Sequence, residues 1–366
     1  MKKLYLIFIA LFAAIIVLPS VWVFASEDTE FSDNENRMLQ TAPELSGETV
    51  LSGDFQNNLN EYITDQFPAR DTWTALGSKI KMLAGMKDIG GAYIGEDGYY
   101  FEMITPDSVD QTKYLQNLAM VKTFAQTHSD TPVTLLLVPA TGTVLSDRLP
   151  ANAEMYDAAS MLAAAKEALP EVNVPDVYGE LVKHADEYIY YRTDHHWTTA
   201  GAGIAYDCLM NGRGAYKGQP ELFSDYFLGT TYSKTLDSDA TPDEVYIVPV
   251  SNKLTVNADG MDIPFYFRDA ANEKDKYKVF FGGNYGQVTI RGGADNGRTL
   301  LVIKDSFANS LVPYLTADYE NIIMLDLRYY MGSIQGLMEQ ENVTDVLFVN
   351  EMSSFAKDTN IMKLSF

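Results

Sequence analysis

The sequence predicts an α/β domain built on a doubly wound parallel sheet, and three observations carry that expectation. The run Val133-Thr134-Leu135-Leu136-Leu137-Val138 is short, continuous and apolar, as a strand covered on both faces must be. The last third of the chain alternates extended and helical patterns: strand 299–303, helix 307–315, strand 322–325, helix 333–341 and strand 346–349. Such alternation places helices on both faces of a parallel sheet. Finally, 366 residues that are 46% hydrophobic and 12% aromatic supply a substantial core, in one large domain with additions or in two small ones.

The elements follow in order. Lys2 and Lys3 precede an apolar run from Leu4 to Ala25, and Glu27, Asp28 and Glu30 follow it at once. Positive charge before the run and acids after it make this an export segment, with the rest of the chain outside the cytoplasm. The run fits two fates. Val23 and Ala25 suit a cleavage site, while its length, about 22 residues, suffices to span a bilayer as a retained anchor. Residues 26–106 read as an irregular lead-in packed on the main domain. It holds a helix over 55–67 that Pro68 stops and a hairpin turning at Asp97-Gly98. The main domain, 107–366, opens with a helix over 108–128, before the strand at 133–138. A helix over 158–168, a strand over 172–177, a short extended piece over 188–191 and a helix over 198–210 come next. Between about 213 and 298 the texture changes to Tyr- and Phe-rich extended segments such as 245–250 and 263–267, which predicts an inserted, mainly β section.

A net charge of −23 argues against nucleic acid or anionic lipid as a partner, because phosphate contacts need cations. A neutral or weakly charged polymer is better tolerated. Cys208 is the sole cysteine, so no internal disulfide forms, no lipid-bearing cysteine lies near the export segment, and the helical pattern around Cys208 predicts its burial.

The chemistry concentrates in Tyr191-Arg192-Thr193-Asp194-His195-His196-Trp197-Thr198, which holds two of the four histidines. In an extended segment Asp194 and His196 face one way and His195 the other. Asp194 can then fix the tautomer of His196, freeing its second nitrogen to take a proton from a hydroxyl. Ser306 is the candidate hydroxyl. It stands where the strand Leu300-Leu301-Val302-Ile303 gives way to a helix, at the carboxyl edge of the sheet and near backbone N–H groups able to hold an oxyanion. A serine or aspartate there also suits a plain helix cap. A metal site is the competing reading of the histidines, but neighbours on a strand diverge and the chain offers only His128 and His184 besides; we expect no metal and no cofactor. Trp197 fits either the core or a stacking platform for a sugar. Gly283 and Asn284 fit either an oxyanion hole or an ordinary turn. Arg328 falls just after a strand, near the same edge, and equally fits a salt bridge to Asp326.

At these residues the chain resembles the bacterial DHHW family and, more distantly, the alginate O-acetylation proteins of the SGNH-hydrolase-like superfamily. The resemblance rests on Asp194-His195-His196-Trp197, with support from Glu35-Asn36-Arg37-Met38-Leu39, the stretch from Asp65 to Asp71, Lys304-Asp305-Ser306 and Asp326-Leu327-Arg328-Tyr329-Tyr330. It implies an SGNH-like catalytic domain over 107–366 in circularly permuted order, with the serine last rather than first, and a triad of Asp194, His196 and Ser306. It further implies an extracytoplasmic enzyme that places or removes an acyl group, typically acetyl, on hydroxyls of a surface polysaccharide, often beside a membrane O-acyltransferase. The alginate relatives carry Gly-Thr-Ser where this chain has Lys304-Asp305-Ser306, and their histidine is not doubled. The alternative from a different class is a non-catalytic carbohydrate-binding or assembly protein on the same fold.

Overall fold

In a computed structural model, residues 2–34 and 37–365 are described; Glu35 and Asn36 lie outside them. The chain divides into two compact units, residues 1–90 with 233–239, and residues 91–232 with 240–366.

In the first unit, helix α1 (Lys2–Ala25) is long and apolar enough over Lys3–Ala25 to cross a membrane, a property that a signal sequence shares. Its exit is fastened: the Tyr62 hydroxyl donates to the Val23 carbonyl (3.1 Å) and to Asp28 (3.0 Å), and the Tyr62 ring meets Phe24. Tyr62 belongs to helix α2 (Asp54–Asp65), which covers the helix expected at 55–67. At its end Asp65 is buried and takes both prongs of Arg37 (2.9 and 2.6 Å) and the Gln40 N–H (2.9 Å). Arg37, set against burial, holds that carboxyl below the usual range. Ala69, at φ 53° after Pro68, turns the chain into helix α3 (Arg70–Leu83).

The second unit begins with the hairpin of β1 (Ala92–Ile94) and β2 (Tyr100–Glu102), closed as expected at Asp97-Gly98, both with positive φ. Helix α4 (Gln111–Thr127), capped by Asp110, leads to β3 (Val133–Val138). Helices α5 (Ala158–Ala168), α6 (Val177–Lys183) and α7 (Thr199–Leu209) follow, then the antiparallel pair β4 (Glu221–Phe227) and β5 (Asp243–Ile247). Three further strands, β6 (Thr255–Ala258), β7 (Met261–Ile263) and β8 (Gln287–Arg291), precede the alternating last third: β9 (Thr299–Lys304), α8 (Ala308–Leu315), β10 (Asn321–Leu325), α9 (Ile334–Gln340) and β11 (Asp345–Glu351).

Seven of these strands form one sheet in the order β7-β6-β8-β10-β9-β11-β3. Four are parallel, with Leu301 flanked by Ile323 and Val346, and Val349 beside Leu136. The strands are continuous apolar runs because both faces are covered. Leu301, Ile303, Val346 and Phe348 face the layer of α4, α5 and α9, while Leu300, Val302, Leu347 and Val349 face α6, α7 and α8.

Three expectations change. The sheet is mixed, because β6, β7 and β8 from the inserted section pair antiparallel along the edge of β10 instead of forming a body of their own. That edge would otherwise expose a row of unpaired backbone groups. Residues 172–177 contribute only a bridge at Asn173 to Thr134; Pro175 lacks a ladder donor and Asp176 caps α6. Cys208 is half-buried on α7.

Phe348 is fully buried and meets the edge of Phe124 at 5.7 Å, joining β11 to α4. Phe348→Ala is expected to cost about 3–5 kcal/mol, read as an earlier midpoint in chemical denaturation followed by circular dichroism.

Candidate active site

Ser306 stands between β9 and α8, at the carboxyl edge of the parallel strands. Its turn is tied to the neighbouring strand through Asp305, whose N–H donates to the Val349 carbonyl (3.1 Å) and whose carboxylate accepts from the N–H groups of Phe307 (3.0 Å) and Glu351 (2.6 Å). Burial pushes the Asp305 carboxyl up to about 6 against the pull of those two donors. Burial likewise lowers the Lys304 ammonium to about 8, with Nζ donating to Asn309 Oδ1 at 2.8 Å.

The segment carrying Asp194 and His196 is a bent loop, not the extended strand expected. Its ends meet at the antiparallel bridge of Tyr190 and Trp197, and the Tyr191 N–H donates to the His196 carbonyl (3.2 Å). Asp243, at the start of β5, holds the loop by accepting from the Arg192 N–H (2.8 Å), the Thr193 N–H (2.8 Å), the Thr193 hydroxyl (2.6 Å) and the Tyr188 hydroxyl. Within this bend Asp194 Oδ1 accepts from the backbone N–H of His196 (3.0 Å) and lies 2.6 Å from its Nδ1. The expected pairing is thus present, but a side chain capping the residue two positions on creates it, not strand alternation. His195 consequently does not point away: its ring centroid lies 3.9 Å from that of His196.

His196 Nε2 lies 2.7 Å from Ser306 Oγ, which completes an unbroken chain of hydrogen bonds from Asp194 to the serine. Asp194 is almost fully buried, and its second oxygen accepts from the N–H and the hydroxyl of Thr230, each at 2.9 Å. The approach is close enough that a Cβ on Gly229 would lie 2.3 Å from the Asp194 Cβ. Burial alone would raise the Asp194 carboxyl; the imidazoles of His195 and His196 and the bonds from His196 and Thr230 outweigh it and hold it far below the usual range. For His196 burial dominates, reinforced by His195, and lowers the imidazole to about 4 in spite of Asp194. Tyr277 stacks on the His196 ring at 3.9 Å and 10°, and its hydroxyl donates to the Ser306 carbonyl (3.1 Å).

Of the other expected residues, His195 and Arg328 line the same cavity of about 490 Å³ as Ser306. Arg328 also forms the salt bridge to Asp326, with bonds of 2.9 and 2.6 Å. Trp197 is no sugar platform. It is fully buried, and its Nε1 donates to the Phe307 carbonyl (3.1 Å) and Ser310 Oγ (2.9 Å), pinning the loop to the start of α8. Gly283 and Asn284 are absent from the residues lining the cavity, and Asn284 is exposed. The turn before them serves the site through Tyr277.

Asn350, at the end of β11, lines the cavity, is buried, and its side-chain oxygen finds no partner among the described residues. It was accessible to the reasoning that found Ser306, since it ends the strand beside β9. Thr230, Asp243 and Tyr277 gave no local signal in the sequence. Asp194, His195 and His196 each offer a metal-ligating atom, all within 4.8 Å of one another. A cation there would have to displace the bonds that join Asp194 to His196 and Thr230 and His196 to Ser306.

The family model for DHHW protein matches residues 157–325. A DHHW family protein of Eubacterium siraeum has a crystal structure that superposes with a TM-score of 0.65 at 25% identity, covering 75% of this chain and 95% of that one. PatB1 of Bacillus cereus shares the fold, with a TM-score of 0.57 at 20% identity over 72% of this chain and 97% of that one. A probable alginate O-acetylase, AlgJ of Pseudomonas syringae pv. tomato, is 24% identical over 236 residues; the match spans 61% of this chain and 56% of that relative's length. The DHHW match covers both Asp194 and Ser306.

Nuclear magnetic resonance titration of the His196 imidazole should give a midpoint near pH 4, well below the ordinary histidine value of about 6.5. Because the folded value is the depressed one, this group's share of stability is present above about pH 6.5 and is lost as pH falls towards 4.

Proposed function

We propose that the protein is an extracytoplasmic O-acyltransferase of SGNH-hydrolase-like type, circularly permuted in order, that moves an acyl group, in the first place acetyl, onto hydroxyls of a surface polysaccharide. The observation that carries this reading is the 2.7 Å contact of His196 Nε2 with Ser306 Oγ, backed by Asp194 on Nδ1. A serine hydroxyl is a weak nucleophile until a neutral imidazole accepts its proton. Burial keeps His196 neutral and Asp194 keeps it in the Nδ1–H tautomer, so the free lone pair faces the hydroxyl.

In the proposed cycle Ser306 Oγ attacks the donor carbonyl and its proton passes to His196 Nε2. The tetrahedral oxyanion is held by the Ser306 N–H and the Asn350 side chain; an amide's oxygen and nitrogen are interchangeable in placement, so Asn350 can turn its NH2 group to this task. His196 then protonates the leaving group, and the acyl group rests on Ser306. An acceptor hydroxyl gives its proton to His196, attacks the ester and releases Ser306. Arg328 borders the cavity as a substrate-binding residue, and residues 107–366 form the catalytic domain. The apolar α1, which opens on Lys2 and Lys3 and is followed by acids, favours a protein exported to the cell surface and either anchored there or released. The similarity to a probable alginate O-acetylase favours a polysaccharide acceptor, with a membrane O-acyltransferase as the source of acyl groups.

The test uses a chromogenic acetyl ester. Wild type is expected to release the chromophore, and Ser306→Ala to lose about a thousandfold or more of kcat/KM. Equal rates would remove Ser306 from the mechanism, and an inert wild type would favour a non-catalytic binding protein.

A further inference from the structure

The doubled histidine leaves one polar atom unaccounted for. His195 Nδ1 lies 2.6 Å from Thr230 Oγ1, and the same hydroxyl oxygen lies 2.9 Å from Asp194 Oδ2. A hydroxyl has one proton to give, and an ionised carboxylate can only accept. Asp194 is held ionised, so the Thr230 proton goes to it and the proton between Thr230 and His195 must come from the imidazole. In its neutral form His195 is thereby fixed as the Nδ1–H tautomer, with a lone pair on Nε2. That nitrogen makes no hydrogen bond among the described residues, and the ring is about three-tenths exposed on the wall of the Ser306 cavity. His196 lies beside the ring at 3.9 Å between centroids, and Phe307 packs edge-on near it at 5.9 Å.

We propose that His195 Nε2 accepts a hydrogen bond from a hydroxyl adjacent to the one being acylated, so that the site recognises its acceptor as a vicinal diol. The two imidazoles are neighbours with centroids 3.9 Å apart, so an acceptor that gives one hydroxyl's proton to His196 brings the hydroxyl on its adjacent carbon within reach of His195. Water has no second hydroxyl to offer. The pair therefore biases the acyl-enzyme towards transfer and away from hydrolysis, and Thr230 is the positioning residue that sets the tautomer. This inference rests on the acyl-Ser306 reading above.

The experiment measures how the acyl-enzyme divides. With a chromogenic acetyl ester as donor, the ratio of transferred to hydrolysed acetate depends only on steps after acylation. It is compared for a sugar-like vicinal diol and a mono-alcohol of matched size. Wild type should favour the diol by about tenfold, the worth of one good hydrogen bond with the statistical factor of two included. In His195→Phe the preference should fall to about the statistical factor, whatever happens to the acylation rate. A wild type without diol preference, or a His195→Phe variant that keeps it, overturns the inference while leaving the serine mechanism standing. The wild-type comparison decides even where the variant fails to fold. Ser306→Ala cleaving the donor as fast as wild type would instead remove the acyl-enzyme, and this inference with it.

Discussion

A carboxylate taken out of water must be saturated with donors or give up its charge, and Asp194 is saturated. One oxygen takes the N–H and the imidazole of His196, the other the N–H and hydroxyl of Thr230. Much of the surrounding architecture serves that constraint. Gly229 leaves the space, Asp243 bends the loop that delivers the residue, and the strand pair of β4 and β5 brings both Thr230 and Asp243 to it. The pairing of charges and donors is what lets an ion exist at a position almost without water.

The second organising element is the ordinary edge of a parallel sheet. Ser306 and Asn350 end adjacent strands, and Asp305 ties the two ends together through the Glu351 N–H. The apolar registers of β9, β10 and β11 hold these ends level, so the position of the serine is set by apolar packing along the strands that carry it. The antiparallel strands β6, β7 and β8 take no part in the cavity and extend the sheet on its far side, where they cover an edge.

Hydrophobic pattern made the parallel strands and their helices legible within a residue or two, because continuous apolar runs between helices have few other uses. The pairing partners of β6 and β8 were not legible: Val256, Val288 and Ile290 read equally well as a separate sheet, and only the exposed edge of β10 decides between the two. In the site, Asp194, His196 and Ser306 stood out by residue type and place. The loop geometry did not, since a turn made by a side chain two residues back looks like any polar stretch. Trp197 stayed open between core and sugar platform, because an indole beside a polar run suits either; its N–H found Phe307 and Ser310 and the ring went inside. Thr230 and Tyr277 act through partners 36 and 29 residues away in the chain, distances at which one sequence carries no pattern.

The contact of Trp197 with α8 bears on how such a chain can change. His196 and Ser306 are 110 positions apart, yet the indole that follows the histidine is bonded to the backbone that follows the serine. The two halves are riveted by side chains and owe nothing to the length of peptide between them. Descendants of this protein are free to lengthen, trim or replace the surface segments of that interval while the rivet holds, provided Thr230, Asp243 and Tyr277 stay in place, so diversification around the cavity carries little penalty for the alignment of Asp194, His196 and Ser306.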